Sequence, residues 1–367
     1  MTDFVHPEVH KPYQSKNRYD ILPTEVVERI RELEYPSKDF ALQFKKNFKC
    51  NVLEQRNVNT KYKSEDVLVF ELVGIDAAVA NALRRILLSE VPTMAIKTVY
   101  FHDNSSIVQD EVLAHRLGLV PLKVDPNHFY DLQNEDEKTD YNTLVYKLDV
   151  TCRRKPNMDM NKTSAEGEET LDVDYNALEH GIVYASDLEW QPCGTQEERL
   201  NKVAPRPVNE DIVLAKLRPG QKIHLEVHAV RGVGKTHAKF SPVCTAHYRM
   251  MPEVVLIKPV YDEKAELLMR LMPGVFELES VPESEKKSGN KKKAVVKSPI
   301  NCTMSRNFMQ DEELASSVRV SRIPDHFIFS IESVGQLPAA EIFRRAIAVL
   351  KKKCSSTVES IKRGGGD

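Results

Sequence analysis

The segment Lys222–Ala229, KIHLEVHA, alternates without a break. Ile223, Leu225, Val227 and Ala229 fall on one side, and His224, Glu226 and His228 on the other. Successive side chains of a strand point to opposite faces, so the pattern specifies a strand with one face in a core. Such a strand needs neighbours for its backbone N–H and C=O groups, which means a sheet. The alternation runs into Gly232-Val233-Gly234-Lys235-Thr236, which looks like the end of a phosphate-binding loop. That motif requires Gly, four residues, then Gly-Lys-Ser/Thr, set between a strand and a helix. Ala229 stands where the first glycine belongs and continues the strand. Pro242 comes too early for a helix whose N-terminus would hold a phosphate. A degenerate nucleotide-binding loop is therefore one reading. The other is a turn in which Gly232 and Gly234 supply backbone freedom and Lys235, His237, Lys239 and Phe240 are presented to another protein.

Charge and cysteine usage narrow the function classes. Lys plus Arg is 52 and Asp plus Glu is 54, a net charge of −2. Proteins that chiefly grip nucleic acid carry a basic excess, so little direct nucleic-acid contact is expected. The six cysteines, Cys50, Cys152, Cys193, Cys244, Cys302 and Cys354, are scattered singly, with no CxxC. This argues against a zinc site and a disulfide framework and for a reducing compartment, cytosol or nucleus. The opening MTDFVHPEVH lacks the basic and apolar regions of a signal peptide, and no stretch reaches the ~18 apolar residues of a membrane span. Glu111 and His115 stand at i,i+4 but lack a third metal ligand. His224 and His228 read as packed or solvated, and Trp190 as a core anchor. No catalytic residue, cofactor or metal is expected.

At 367 residues the chain has room for two domains, or one interrupted by another. Residues 1–38 are polar, with a short helix expected over TEVVERIRELE, capped by Thr24. Asp66–Val73 reads as a strand and 77–90 as a helix, with Asp76 as N-cap and Val91-Pro92 as its end. Residues 96–213 are rich in β-branched residues, turns and prolines. Within them 153–170 is polar and reads as a loop. Residues 281–299 read as a solvated linker, basic in its second half. Asp325–Ile331 is a further strand, and a long helix starts at Pro338.

Both longer helices are two-faced. In the first, Val79, Ala82, Leu83, Ile86 and Leu87 share one side, and Asn81, Arg84, Arg85 and Leu88 the other. A large apolar side chain flanked by Arg and Asn is an interface composition, although a solvated face remains the alternative. Glu90 falls near the apolar stripe for no reason visible in the sequence. In the last helix Ala339, Phe343, Ala346, Leu350, Cys354, Val358 and Ile361 form a narrow stripe over roughly 24 residues, about 36 Å. It suits packing on the chain's own sheet or against a second, similar helix.

Four blocks, in order, resemble one family. NALRRILLSEVPTMAI (81–96) closely resembles the alpha-subunit motif of multisubunit RNA polymerases, and DEVLAHRLGLVPL (110–122) resembles the next block of its alpha-like subunits. LAKLRPGQKIHLEVHAVRGVGKTHAKFSPV (214–243) and FSIESVGQLPAAEIFRRAIAVLKKK (329–353) resemble the return into the dimerisation domain and its final strand and helix. The polymerase II branch carries a cysteine cluster after the HRLGL block, and archaeal relatives often carry iron–sulfur cysteines; this chain has neither. SDLEWQPCGTQ (186–196) and the GKTHAKFSPV form look like the branch shared by polymerases I and III, with the polymerase II branch as the alternative.

The resemblance implies an α+β fold: an N-terminal extension 1–38, a discontinuous alpha-like dimerisation domain 39–95 and 214–367, and a β-rich insert 96–213. It implies a non-catalytic scaffold, nuclear and nucleolar. Its partners would be the smaller alpha-like subunit common to polymerases I and III, and their second-largest and other subunits. Asn81, Arg84, Arg85, Leu88, His237, Lys239 and Phe240 would face the large subunits. Ala339, Phe343, Ala346, Leu350, Cys354 and Val358 would face the small one.

Overall fold

The computed structural model describes residues 18–21, 27–30, 40–60, 63–134, 137–155, 178–200, 204–281 and 291–364. Among these the α-helices, in chain order, are α1 Phe40–Asn47, α2 Ala77–Ser89, α3 Asp110–Gly118, α4 Gln196–Leu200, α5 Asp262–Leu271, α6 Glu312–Ser317 and α7 Ala339–Gly364. The chain forms two compact units. One comprises Met1–Leu53, Val69–Asn81 and Tyr248–Phe329; the other comprises Glu54–Leu68, Ala82–His247 and Ser330–Asp367. Helix and sheet mix in the α+β manner expected.

Strands of the first unit belong to a sheet ordered Val27–Ile30, Arg18–Ile21, Val318–Ser333, Lys63–Val73, Lys49–Thr60, with Val243–Leu256 also paired to Val318–Ser333. The helix expected over TEVVERIRELE is corrected here. Val27–Ile30 is a strand antiparallel to Arg18–Ile21, which joins the sheet through Tyr19 opposite Arg322. Val27 and Ile30 are β-branched, and a ready sheet edge outweighs a weak local helix preference. Thr24 lies outside the described residues. Stacked rings of Phe70 and Phe329, centroids 5.3 Å apart, brace the strands, and Tyr248 meets Phe327 edge-on.

A second core of this unit gathers Ala265 and Leu268 of α5 with Phe276, Ala294, Phe308 and Leu314. Ala294 belongs to Lys292–Val296, a strand paired with Phe276–Ser280, so the linker expected over 281–299 is shorter than its composition suggests. Asp262 Oδ1 accepts the backbone N–H groups of Lys291 and Lys292 at 3.0 and 2.8 Å, pinning the basic stretch to α5. Residues 282–290 lie outside the described residues.

The second unit centres on a sheet ordered Glu189–Gln191, Thr143–Thr151, Lys222–Val233, Pro92–Asn104. The alternation of KIHLEVHA holds. Ile223, Leu225, Val227 and Ala229 are fully buried and lie opposite Val150, Leu148, Tyr146 and Leu144. His224, Glu226 and His228 are half-buried on the other face. Leu113 and Leu117 of α3 close the same core, and Trp190 packs at its margin as an anchor. Arg116, also on α3, donates to the carbonyls of Val213 and Leu214 at 2.5 and 3.2 Å. That ties the HRLGL block to the strand before KIHLEVHA. Of the polar stretch 153–170, Arg153–Arg154 pairs with Leu178–Glu179, and residues 156–170 lie outside the described residues.

Candidate interaction surfaces

Helix α2 starts where its cap predicts. Asp76 Oδ1 accepts the N–H of Ala78 at 2.7 Å, satisfying one of the orphan donors of the first turn. Ala80, Leu83, Ile86 and Leu87 are buried. Val79, expected with them, is 40 % exposed. Periodicity fixes the direction of a side chain and not how far the covering surface extends. On the opposite side Asn81, Arg84 and Leu88 are half-buried and Arg85 is exposed.

The GVGKT turn closes the end of this helix. The N–H of Lys235 donates to the carbonyl of Ser89 at 2.8 Å, and that of Thr236 to Val233 at 3.0 Å. A Cβ on Gly234 would stand 2.3 Å from the carbonyl oxygen of Leu88, and one on Gly232 would stand 2.7 Å from the Phe240 ring. Both glycines are therefore needed for close approach, not for a phosphate. The amides of Lys235 and Thr236, which a phosphate would use, are already engaged. Beyond the turn the chain forms a three-residue 3-10 helix, Ala238–Phe240, where His237 Nδ1 accepts the N–H of Lys239. The nucleotide-loop reading fails on its structural context.

The remaining loop residues divide by exposure. Lys235, Thr236, His237 and Ala238 are exposed. Phe240 is buried against Ala95 and Val230. Thr93 Oγ1 donates to the Phe240 carbonyl at 2.6 Å. The ammonium of Lys239 donates to the carbonyl of Ile96 at 2.7 Å; burial, with Lys97 nearby, lowers its pKa. Phe240 and Lys239 thus hold the loop from within.

Helix α7 is anchored along its first half. Asp66 Oδ2 accepts the N–H of Ala339 at 2.8 Å, and the carboxylate is buried. Arg345 reaches both Glu341 and Asp125 at 3.0 Å. Burial pushes the Asp125 pKa up, but the Asn127 N–H and the Arg345 guanidinium outweigh it and hold the carboxyl below its usual range. Further along the helix, Lys353 meets Glu90 at 2.7 Å. Ala339, Ile342 and Ala346 are fully buried within the unit, Phe343 and Leu350 are half-buried, and 351–363 are exposed. Ala339 and Ala346 therefore add no surface for a partner. Ile347, Val358 and Ile361, 45, 50 and 68 % exposed, extend the stripe outward with Phe343, Leu350 and Cys354.

Other candidate chemistry does not assemble. Glu111 and His115 are both exposed, and among the described residues no group of three His, Cys, Asp or Glu can hold a metal ion. His228 is engaged with Glu226 at 2.7 Å, and His224 packs against His102. Among the described residues no helix is long and apolar enough to cross a membrane.

The apolar stripe of α7 thus runs past the core of its own unit, and α2 is two-faced. Residues 69–354 match the family described as the RNA polymerase Rpb3/Rpb11 dimerisation domain, and the chain belongs to that family. It is 44 % identical over 321 residues to the DNA-directed RNA polymerases I and III subunit RPAC1 of Mus musculus, covering 87 % of this chain and 86 % of that one. The Saccharomyces cerevisiae protein of the same name is 40 % identical over 318 residues, covering 85 % and 87 %. The Arabidopsis thaliana subunit 3 of polymerases II, IV and V is 29 % identical over 303 residues, covering 79 % and 86 %.

Proposed function

We propose that this chain is the larger alpha-like subunit shared by RNA polymerases I and III, a nuclear and nucleolar scaffold without catalytic residues of its own. It pairs with the smaller alpha-like subunit and forms the platform for the second-largest subunit, supporting synthesis of rRNA, tRNA and 5S RNA. The identities support the branch: 44 and 40 % to subunits of polymerases I and III, against 29 % to one of polymerases II, IV and V. On this reading 39–95 with 214–367 is the dimerisation domain and 96–213 its insert.

The observation that carries the reading is the split of α7. One face of its first turns, Ala339, Ile342 and Ala346, is sealed inside the unit, while Cys354, Val358 and Ile361 are exposed at steps of four and three. An exposed apolar stripe of that spacing fits a second helix. Phe343, Leu350, Cys354 and Val358 form the heterodimer contact. Asn81, Arg84, Arg85, Leu88 and His237 face the large subunit, with the exposed Arg85 making charge-assisted bonds to its carboxylates or carbonyls. Co-expression tests the division of labour. Alanine at Arg84 and Arg85 weakens recruitment of the second-largest subunit and leaves the alpha-like pair intact. Loss of the pair instead would overturn the assignment.

A further inference from the structure

A groove in the first unit, with a volume of about 630 Å³, is not absorbed by the scaffold role. Met250, Ile300, Met304 and Phe327 line it, together with the exposed Arg249 and the half-buried Arg322. Among the described residues no Asp or Glu lines it. Among the described residues neither arginine has a carboxylate partner. Arg249 is held in place by donating to the carbonyl of Ile300 at 2.8 Å. Cys302 at the same wall is buried, and its thiol pKa is pushed up by that burial, so the thiol adds no negative charge.

The wall itself is constrained. Met304 sits at φ 62°, in the left-handed region that a residue of its shape seldom occupies. Strain of this kind persists where the surrounding structure over-determines it and gathers at binding sites. The groove has the size of ligand sites in general. Its chemistry is two forked cations over an apolar floor. The matching ligand carries carboxylates, which accept two N–H bonds from one guanidinium, and apolar side chains beside them. Arginines this poorly compensated favour an anion, and the thioethers of Met250 and Met304 adapt to an irregular apolar partner.

We propose that this groove binds an acidic, apolar peptide segment of another subunit in the assembled polymerase, with Arg249 and Arg322 clamping its carboxylates. The site shares no residue with the α7 stripe or with Asn81, Arg84, Arg85, Leu88 and His237. It rests on the proposed role only in that the peptide comes from the assembly.

The experiment uses the full chain carrying a photo-reactive benzoylphenylalanine in place of Thr303, an exposed residue of the groove. The assembled complex is purified, irradiated, and the cross-linked peptide sequenced. The expected result is one cross-linked segment from another chain with Asp or Glu within a few residues of the attachment point. Its yield falls about tenfold in the Arg249→Gln/Arg322→Gln variant, as loss of charge-assisted bonds requires. Arg249→Lys/Arg322→Lys, which keeps the charge, retains most of it. Unchanged melting temperature of the variants shows that they fold. An assembled complex with no cross-link to another chain, or a cross-link whose yield ignores the arginines, overturns the proposal. Failure of the chain to enter any polymerase instead overturns the scaffold reading, so the two failures are told apart.

Discussion

The ammonium of Lys353 lies 2.7 and 2.9 Å from the two carboxylate oxygens of Glu90, a residue 263 positions earlier in the chain. Glu90 directly follows α2, the helix proposed to face the large subunit, and Lys353 lies on α7, the helix proposed to pair with the small one. The pair therefore links the two interaction helices within one unit. Its side chains are 29 and 54 % exposed, so its worth is that of a surface ion pair. A double-mutant cycle on Glu90→Gln and Lys353→Met, read by denaturant unfolding, gives a coupling of about 0.2–1 kcal/mol that shrinks in high salt. A coupling above about 2 kcal/mol, insensitive to salt, would contradict this.

Gly234 is the tightest point between the GVGKT turn and α2. Gly234→Ala pushes a Cβ against the backbone of Leu88 and Ser89, which cannot rotate away. The loss expected is of order 2 kcal/mol of stability, as in other overpacked sites. Lys235→Ala, at an exposed side chain, leaves stability within about 0.5 kcal/mol. Neither the parent nor the Lys235 variant binds ATP in a calorimetric titration. Binding lost on Lys235→Ala would restore the nucleotide reading.

The cap of α7 is local and polar. Asp66→Ala removes the acceptor of the Ala339 N–H and costs about 1–2 kcal/mol, while Asp66→Asn costs less. Hydrogen exchange should quicken first at the start of α7. Equal protection in parent and Asp66→Ala would show that the cap is idle.

Asp125 gives the unit an acid-side dependence. Its folded pKa is depressed, so the stability it contributes is present above the ordinary carboxylate value of ~3.9 and is lost as pH falls below that through the folded value. Arg345→Met removes one of the lowering partners, leaving the Asn127 N–H, and flattens this stretch of the stability–pH curve in part. An unchanged slope below about pH 4 would mean the pair contributes nothing to stability.

Periodicity made the strand Lys222–Val233 legible to the level of single side chains, because a period of two assigns each residue to a face without knowledge of its neighbours. The 3.6-residue period of α2 likewise made Leu83, Ile86 and Leu87 legible as buried, while Val79 and Ala82 on the same stripe are exposed and half-buried. Glu90 was not, because its partner arrives from 263 positions away and no local rule reaches that far. Val27–Ile30 and Lys292–Val296 were misread as helix and linker. Each is a strand only because another segment offers an edge: Arg18–Ile21 in one case, Phe276–Ser280 in the other. The candidate surfaces were half legible. Helical spacing put Phe343, Leu350, Cys354 and Val358 on one stripe, where the structure leaves them half-buried or exposed, but it could not show that Ala339 and Ala346, on the same stripe, are sealed inside. The Arg249 and Arg322 groove had no sequence signal, since its walls come from four separate stretches.

The most direct test of the scaffold account is affinity purification of the tagged full chain from nuclei, with every co-purifying protein identified by mass. The account predicts the smaller alpha-like subunit together with the large subunits of both polymerases I and III. Recovery of polymerase II subunits alone, or of no polymerase at all, would contradict it.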